Sequence, residues 1–284
     1  MTIYVLISTI DAGLQFVPDI LLPEAEGVMY VVSWQQTKDV SMLSPETRRA
    51  KDVLQGRQDV TLTTLNGKGL CRNRNHAVST VLSLLSDPLE DSVCLIADDD
   101  ERLLPETFER LRTTYARYPK MDGALMRLRS ITDGEYFKHY PTATTIYGHH
   151  PRSYYPCSCE MSFRTRVWQA GLRFDERFGL GAEELCAGEE DILLTDMQRK
   201  GLRVLIVPED IGLTDPATTG AKVLDKRVLR SKGAVYGYQG NYLRAFLRSM
   251  REAFGIGLRH HTSPLRVFRE LWRGVKYIRR CKHN

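Results

Sequence analysis

The stretch Val93-Cys94-Leu95-Ile96-Ala97-Asp98-Asp99-Asp100-Glu101 joins a short apolar run to a series of carboxylates. The apolar run is too short for a helix and contains β-branched residues, so it predicts a buried strand. Two like charges about 4 Å apart repel by about 4 kcal/mol at an effective dielectric of 20, so either these side chains diverge or a cation holds some of them together. Alternation along an extended segment directs Asp98 and Asp100 to one side and Asp99 to the other.

The pair Asp98 and Asp100 suits a hard divalent cation such as Mg²⁺ or Mn²⁺, which takes one or two carboxylates together with phosphate oxygens. The alternative is an acidic surface turn ahead of a helix that begins at Pro105. The stretch predicts the end of a strand in both cases, and a metal site in the first.

Short apolar runs and helix-like stretches alternate on both sides of this strand. The runs that predict strands are 3–7, 28–32, 60–65, 93–97, 124–128 and 204–207. The stretches that predict helices are about 44–56, 70–86, 105–117, 164–170 and 192–200. This alternation is typical of an α/β domain built on a largely parallel sheet, which binds ligands at the carboxyl ends of its strands.

Two polar segments that follow predicted strands are candidates for nucleotide binding. After the first strand, Ser8, Thr9 and Asp11 form a polar turn, in which Asp11 can accept a hydrogen bond from a base or a ribose. After the third strand, residues 66–76 combine glycines, which allow a ligand to approach closely, with three basic residues that oppose the dipole of the helix they open. A bound diphosphate explains this pattern, whereas an ordinary strand-ending turn and a solvated basic turn are the alternatives.

A second acidic cluster, Gly188-Glu189-Glu190-Asp191, opens the helix predicted over 192–200. The helix dipole favours acids in a first turn, which is a sufficient structural explanation. The upstream segment Phe174-Asp175-Glu176-Arg177-Phe178-Gly179-Leu180-Gly181 has two aromatic residues and two glycines. It favours a shaped loop, at whose end a carboxylate can act as a general base.

These elements, in this order, resemble family 2 glycosyltransferases with the GT-A fold, over about residues 1–215. The matching segments are 7–11, 69–75, 97–100, 174–179 and 188–190. The resemblance implies a Rossmann-like, mostly parallel α/β sheet flanked by helices. It also implies an inverting, hexosyltransferase-type enzyme that uses a nucleotide-sugar, usually a UDP-sugar, with Mn²⁺ or Mg²⁺.

The resemblance also assigns roles to single residues. Asp11 is expected to contact the nucleoside, while Arg74 and Asn75 match an Arg-Asn pair beside the nucleotide. Asp98 is expected to touch ribose or metal, and Asp100 to ligate the metal that bridges the diphosphate. The donor-binding set is Ser8, Thr9, Asp11, Lys68, Gly69, Arg74, Asn75, Asp98 and Asp99.

The general base of the family is an acid in a Glu-Asp pair, which falls here on Glu189-Glu190. Glu190 is the expected base, and Asp191 is a rival shifted by one residue, so all three acids stay open. The base takes the proton of the acceptor hydroxyl as this oxygen attacks the anomeric carbon. Metal and basic residues stabilise the departing diphosphate.

Three departures from the family pattern matter. Ser33-Trp34-Gln35-Gln36 stands where relatives have an acidic turn for the base, which weakens the assignment of uracil. Asp215 stands where many relatives have a metal-binding His, so the expected metal ligands are Asp98, Asp100 and Asp215. Glu190 is longer than the usual Asp, which shifts the place of the acceptor.

The segment Cys157-Ser158-Cys159-Glu160 matches a region that lines the donor or acceptor pocket in relatives, so Ser158 or Glu160 is expected near the sugar. The two cysteines are expected to pack in the interior, with a zinc site as the alternative. The six cysteines of the chain show no regular framework, so all of them are expected to be reduced thiols.

The net charge of +5 conceals an asymmetry along the chain. From Ala221 onward there are 16 basic and 3 acidic residues, while the first 220 residues hold 24 basic and 32 acidic ones. We therefore expect a catalytic domain over 1–220 and a basic helical extension over 221–284.

Two segments of the extension carry apolar stripes at helical spacing, edged with arginine and lysine. The apolar positions are Leu243, Phe246, Leu247, Met250 and Phe254 in the first segment, and Leu265, Phe268, Leu271, Trp272, Val275 and Ile278 in the second. The pattern favours an anionic membrane surface as the partner of 240–284. The alternative is a helical pair packed on the body or on a second subunit of an oligomer. No nucleic acid is expected, because no recognition motif accompanies the charge.

No window approaches about 18 consecutive apolar residues, and the N-terminus lacks the basic flank of a signal peptide. We therefore expect a cytoplasmic enzyme, peripheral at the inner face of the membrane, that acts on a glycan or lipid-linked acceptor in surface polysaccharide biosynthesis. One alternative is a sugar nucleotidyltransferase, which should carry a glycine-rich signature where only Gly13 stands. The other is a non-catalytic binding protein of the same fold, which the presence of Asp98, Asp100 and Glu190 disfavours.

Overall fold

The computed structural model describes residues 1–37, 43–87, 91–151, 153–216 and 223–281. The chain folds as two compact units. The first unit comprises Met1–Lys68, Arg72–Arg173 and Asp196–Pro216, and the second comprises Gly69–Cys71, Phe174–Thr195 and Ala217–Asn284. The second unit therefore contains the basic extension together with the acidic cluster 188–191, which the sequence assigned to the catalytic domain.

The first unit is built on one nine-stranded sheet. Its strands are β1 (Thr2–Ile10), β2 (Val28–Gln36), β3 (Val60–Asn66), β4 (Ser92–Asp98), β5 (Arg102–Leu103), β6 (Gly123–Ser130), β7 (Thr145–Ile146), β8 (Met161–Arg164) and β9 (Val204–Thr214). The order is β3-β2-β1-β4-β8-β6-β9-β5, and β7 also pairs with β9. Strands β1 to β4 are parallel to one another, as are β6 and β9, while β8 runs antiparallel between β4 and β6. The expected α/β fold on a largely parallel sheet is confirmed.

The helices of the two units are α1 (Val17–Ile20), α2 (Pro45–Gly56), α3 (Leu70–Leu84), α4 (Thr107–Arg117), α5 (Thr165–Gln169), α6 (Glu189–Arg199), α7 (Lys226–Gln239), α8 (Tyr242–Arg259) and α9 (Pro264–Arg280). The short α1 and the long α7 were not predicted, whereas the other helices lie near predicted stretches or on the two apolar segments of the extension. The prediction of one helix over 164–170 is wrong at its start. Arg164 is the last residue of β8 and pairs with Val93 of β4, so only the short α5 is helical.

The central strands bring polar residues to one edge of the sheet. β1 has seven successive buried residues, which is the pattern of a parallel strand covered on both faces. In the sheet register, Ser8 of β1 lies opposite Ser33 of β2 and Asp98 of β4. The carboxyl ends of three parallel strands therefore meet at this edge, where such sheets bind ligands.

The carboxylates after β4 do not lie in an extended segment. β4 ends at Asp98, and Asp99 and Asp100 form a turn. The expected alternation of these side chains between two sides is therefore wrong, because alternation requires extended backbone.

Helices α7, α8 and α9 of the second unit pack around an apolar core of their own. Gly233 of α7 and Gly274 of α9 allow the two helices to approach closely. A Cβ on either glycine would overlap main-chain atoms of the neighbouring helix. This packing buries Leu271, Val275 and Ile278, which the sequence had assigned to a membrane-facing stripe. The expectation that these three side chains face a membrane is therefore wrong, because they are buried within the second unit.

Two further expectations concern the whole chain. All six cysteines are free thiols, as expected. No helix in the described ranges is both long enough and apolar enough to cross a membrane.

Candidate functional site

Arg74, Asp98 and Ser158 meet where the parallel strands end. Arg74 in α3 donates through Nη2 to Asp98 Oδ1 at 2.8 Å and to Ser158 Oγ at 2.7 Å. The side chain of Arg74 is 1% exposed, whereas that of Asp98 is 27% exposed. Cys159 Sγ donates to the other carboxylate oxygen of Asp98 at 3.2 Å. A buried cation therefore fixes Asp98 and leaves its carboxylate accessible to a ligand.

Asp99 is tied to the end of β1. Thr9 Oγ1 donates to Asp99 Oδ2 at 2.5 Å. Burial raises the pKa of Asp99, while the hydrogen bond from Thr9 lowers it and the charge of Asp98 raises it. A Cβ on Gly13 would overlap Asp99 Oδ2 and would lie 2.7 Å from Thr9 Oγ1. This contact between the turn after β1 and the turn after β4 therefore requires glycine at position 13.

Asp100 is exposed and lies within electrostatic reach of three other carboxylates. Partial burial raises its pKa, and the charges of Asp98, Asp99 and Asp215 raise it further. Two of the expected metal ligands, Asp98 and Asp215, thus lie close enough to the third, Asp100, to raise its pKa. In the part of the chain that the structure describes, however, no group of three or more His, Cys, Asp or Glu side chains is arranged to hold a metal ion.

The donor chemistry of these residues fits a divalent cation. Mg²⁺ prefers oxygen ligands and needs only one or two protein carboxylates beside water and phosphate oxygens. Asp98 is shared with Arg74, whereas Asp100 and Asp215 are both exposed. A cation would be held by Asp100 together with Asp98 or Asp215, and its charge would offset the repulsion that raises the pKa of Asp100.

Asp11 joins the turn after β1 to the end of β2. Its Oδ1 accepts a hydrogen bond from Thr37 N at 2.8 Å, and its Oδ2 accepts one from Thr37 Oγ1 at 2.5 Å. Trp34 Nε1 donates to the main-chain oxygen of Asp11 at 2.9 Å. The carboxylate of Asp11 therefore shapes this turn, and its contact with a nucleoside stays a prediction. Nearby in sequence, Ser8 Oγ is buried and has no hydrogen-bond partner among the described residues.

Asn73 is a site residue that the sequence did not single out. Its Nδ2 donates to Thr9 O at 3.0 Å, and its Oδ1 accepts from Ser33 Oγ at 2.6 Å. Asn73 is 2% exposed and connects the ends of β1 and β2. The run Arg72-Asn73-Arg74-Asn75 contains the Arg-Asn pair twice, so spacing along the chain does not tell which side chains face the sheet.

The other donor-binding candidates before and within α3 are less buried. Lys68 is exposed and Asn75 is half-buried. Gly69 has a φ of 124°, a conformation that favours glycine, and it belongs to the second unit. Of the predicted donor-binding set, Ser8, Thr9, Arg74, Asp98 and Asp99 lie at the carboxyl edge of the sheet in the first unit.

Glu160 has a structural role. It is fully buried and pairs with Lys138 Nζ at 2.5 Å. The hydroxyls of Tyr140 and Tyr154 donate to its two carboxylate oxygens at 2.6 and 2.8 Å. Burial raises the pKa of Glu160, and the charge of Lys138 opposes the shift. The expectation that Ser158 or Glu160 lies near the sugar stays a prediction. Because the side chain of Glu160 is buried, Ser158, beside Arg74, is the better candidate for a direct contact.

Glu101, the last acid of the run after β4, is also buried. It is 1% exposed, and neither carboxyl oxygen has a hydrogen-bond partner in the described ranges. Burial, and then the charge of Asp98, raise its pKa well above the ordinary value. Burial therefore disfavours the charged form of Glu101, although nothing in the sequence separates it from the aspartates before it.

The three candidate bases lie in the first turn of α6, within the second unit. Glu189 is buried, whereas Glu190 and Asp191 are partly exposed. Burial raises the pKa of Asp191 to about 6; the charge of Glu190 adds to the shift, and those of Arg248 and Lys232 oppose it. A carboxylate with such a pKa is suited to general-base catalysis near neutral pH.

The loop predicted over 174–181 contacts the start of α3 and of α6 inside the second unit. Leu70 N donates to Leu180 O at 2.8 Å. Gly179 has a φ of 89°, and a Cβ there would lie 3.0 Å from Cys71 Sγ and 3.4 Å from Glu189 Cδ. The glycine predicted to shape this loop therefore allows it to lie against one candidate base.

No protein-family model matches the sequence, and no curated protein is significantly similar to it. Among solved structures, S. aureus TarS 1–349 is 14% identical, with a TM-score of 0.59 over 90% of this chain and 75% of that one. A longer S. aureus TarS structure is 15% identical, with a TM-score of 0.52 over 93% of this chain, which spans 44% of that one. Glucosyl-3-phosphoglycerate synthase from Mycobacterium tuberculosis, in complex with Mn²⁺, UDP-glucose and phosphoglyceric acid, is 14% identical, with a TM-score of 0.47 over 84% and 81% of the two chains.

The similarity to TarS shows that the fold is GT-A-like, a fold shared with glycosyltransferases. The expectation of a GT-A-like sheet flanked by helices, with further helices at the C-terminus, is confirmed. At this level of sequence identity the similarity concerns the fold, and the chemistry has to be argued from the residues of this chain.

Proposed function

We propose that the protein is an inverting glycosyltransferase that moves a hexosyl group from a nucleotide-sugar, most simply a UDP-sugar, to an acceptor hydroxyl in surface glycan biosynthesis. The observation that carries the proposal is the Arg74–Asp98 pair, buried at one end and accessible at the other, at the carboxyl edge of a GT-A-like sheet. A non-catalytic binding protein has no need to gather Asp98, Asp99 and Asp100, whose charges oppose one another.

The donor side of the reaction belongs to the first unit. Asp98, oriented by Arg74, is suited to accept hydrogen bonds from a ribose or to share a cation. Asn73 holds the ends of β1 and β2 in register, so that the nucleoside would meet a rigid edge. Lys68 is exposed ahead of α3 and would attract the diphosphate.

The residues for a metal would be Asp100 with Asp98 or Asp215. A bound Mn²⁺ or Mg²⁺ supplies positive charge that stabilises the departing nucleoside diphosphate. The pKa of Asp100 is raised when no cation is bound. A bound cation would favour the charged carboxylate and so keep Asp100 ionised.

A carboxylate of the α6 cluster is proposed as the base. The acceptor oxygen forms a bond to the anomeric carbon, the bond from that carbon to the diphosphate breaks, and the hydroxyl proton passes to the carboxylate. Attack opposite the leaving group inverts the configuration. Glu189, Glu190 and Asp191 are the candidates. Glu189 is the most buried of the three, and the pKa of Asp191, about 6, keeps it mainly ionised at neutral pH.

The test is a binding screen. UDP-, GDP-, ADP- and dTDP-sugars are added with and without Mn²⁺, and thermal unfolding is measured for the wild type and for Asp100→Ala. A ligand at about 100 times its Kd stabilises the fold by about 2.7 kcal/mol. We expect one nucleotide class to stabilise the wild type, and Mn²⁺ to increase this effect only when Asp100 is present. The proposal would be overturned if no nucleotide-sugar stabilises the protein. In a separate assay, conversion of a sugar phosphate and a nucleoside triphosphate into a nucleotide-sugar would point to a nucleotidyltransferase.

A further inference from the structure

The outer side of α8 is apolar and exposed. Its side chains recur three or four residues apart and so share one side of the helix. They are Leu243, Leu247, Met250, Phe254 and Leu258, exposed by 66, 56, 36, 55 and 76%. The opposite side of α8 carries Ala245, Ser249, Ala253 and Ile256, which are buried within the second unit. We call the five exposed side chains the α8 face.

Aromatic side chains extend the α8 face towards α9. The rings of Phe246 and Trp272 lie 5.7 Å apart, and those of Phe268 and Trp272 stack at 5.9 Å. Leu265, at the start of α9, is 77% exposed. The apolar surface therefore continues from one helix to the next, beyond the scattered apolar side chains that are usual on a soluble protein.

The charges beside the α8 face are positive. Arg244 and Arg251 lie one turn before and after Leu247, so they border the apolar side chains directly. Arg259 and Arg266 stand exposed where the two helices meet. None of these four arginines forms an ion pair with a carboxylate in the described part of the chain. The single acid of α8, Glu252, pairs with Lys232 of α7.

We propose that the α8 face binds the surface of an anionic lipid bilayer, with its apolar side chains among the acyl chains and the bordering arginines on lipid phosphates. An amphipathic helix of 18 residues that lies in the plane of the interface uses this combination of apolar face and cationic border. A second copy of the chain is a poorer occupant, because a symmetric contact would bring Arg244 and Arg251 of both copies together. Nucleic acid would leave the leucines and Phe254 without a partner.

The proposed membrane-binding surface is smaller than the one expected from the sequence over 240–284. Leu271, Val275 and Ile278 of α9 are buried, so only α8 and the first half of α9 remain available. Such binding does not depend on the proposed enzymatic activity, since none of the residues of the α8 face belongs to the candidate site.

The test uses the full chain and sedimentation with vesicles of phosphatidylcholine alone or mixed with phosphatidylglycerol. The variants are Leu247→Glu/Phe254→Glu and Arg244→Ala/Arg251→Ala, all at exposed positions. Leu224→Glu is the matched control, because Leu224 is 49% exposed in the same unit but lies outside the α8 face. Circular dichroism and sedimentation velocity establish that each variant is folded and give its oligomeric state.

We expect the wild type and Leu224→Glu to bind the anionic vesicles and not phosphatidylcholine alone. Leu247→Glu/Phe254→Glu should lose at least about a hundredfold in affinity, since two apolar side chains no longer enter the bilayer. Arg244→Ala/Arg251→Ala should lose about thirtyfold at low salt, at about 1 kcal/mol per arginine. The proposal would be overturned if the wild type does not bind the vesicles, or if the Leu247/Phe254 and Arg244/Arg251 variants bind them as well as the wild type does. It would also be overturned if Leu224→Glu loses as much affinity as these variants. The same holds if the wild type is a dimer that these variants dissociate and no vesicle binding is seen.

Discussion

Arg74 is an arginine that solvent barely reaches, and its guanidinium joins Asp98 to Ser158. Both contacts are donated by one nitrogen, Nη2, and the side chain of lysine is one bond shorter, so its ammonium would not lie where Nη2 lies. Arg74→Lys should therefore lower kcat/KM for the nucleotide-sugar by about tenfold to a hundredfold, the equivalent of one charge-assisted hydrogen bond. Arg117→Lys is the control, because Arg117 is exposed at the end of α4, belongs to no candidate set and should leave kcat/KM unchanged. Equal effects of the two substitutions would contradict the role given to Arg74.

Gly13 gives a second test at the scale of one residue. Gly13→Ala would place a Cβ against Asp99 and Thr9, so we expect it to destabilise the fold by about 1–3 kcal/mol in urea unfolding. Gly56→Ala serves as the control, since a Cβ on Gly56 meets nothing within 4 Å. A neutral Gly13→Ala would show that the contact between the two turns is not needed.

Asp191 makes a prediction about pH. Its pKa is raised from 3.8 to about 6 in the fold, so the folded state binds its proton more tightly than the unfolded state does. Ionised Asp191 therefore destabilises the fold above about pH 6, and this cost disappears as the pH falls towards about 4. Asp191→Asn should be more stable than the wild type at about pH 8, by up to about 3 kcal/mol, and the difference should vanish near about pH 4. A difference that does not change with pH, measured by urea unfolding, would contradict the shift.

The same substitution helps to identify the base. If Asp191 is the base, Asp191→Asn abolishes turnover, and kcat/KM of the wild type rises with pH through about 6. If Glu190 is the base, Glu190→Gln abolishes turnover and Asp191→Asn retains it.

At the scale of elements, the sequence predicts the four parallel strands well because each is a short apolar run buried on both faces. β9 is longer than its apolar run, continuing from Val204 to Thr214 past Pro208 and Gly212, which resemble turn residues. Its second half is held by tertiary contacts: Arg127 and Arg129 of β6 each donate to Asp210, at 2.8 and 2.9 Å. Such contacts between distant segments leave no local pattern in the sequence.

α7 is missed for a related reason. Its glycines and small polar residues give it no clear apolar stripe, and it is buried on most sides by its neighbours. The candidate site could also be predicted only in part. The aspartates after β4 and the basic start of α3 stand out in the sequence. Asn73 and Glu101 do not, because the role of Asn73 depends on its hydrogen-bond partners and that of Glu101 on its burial, and the fold sets both.

The contact between α7 and α9 gives a prediction at this scale. Gly274→Ala would drive a Cβ into the main chain of Arg230 and Ala234, so we expect the second unit to lose at least about 3 kcal/mol of stability. Gly255→Ala in α8 is the control, because its Cβ would meet only the end of Arg259. It should be neutral or stabilising by up to about 1 kcal/mol, as alanine is in an exposed helix. Thermal unfolding that does not distinguish the two would contradict the close packing.

At the scale of the whole molecule, the charge asymmetry has more than one origin. Part of the basic charge of the extension is balanced by acids of the second unit. Arg230 forms ion pairs with Glu184 and Glu270, and Arg273 forms one with Glu270. The remainder includes the exposed arginines beside the α8 face. The negative charge of the first 220 residues includes Asp98, Asp99 and Asp100, whose mutual repulsion a bound cation would relieve.

The acidic turn after β4 is proposed to support metal-dependent chemistry on a nucleotide-sugar. The most direct measurement is the release of nucleoside diphosphate from each nucleotide-sugar, with water or a glycan acceptor, with and without Mn²⁺. We predict release from one nucleotide class by the wild type, dependent on Mn²⁺, and a loss of at least about a hundredfold in Asp100→Ala. Release that is equal in Asp100→Ala, or no release from any nucleotide-sugar by the folded wild type, would contradict the claim.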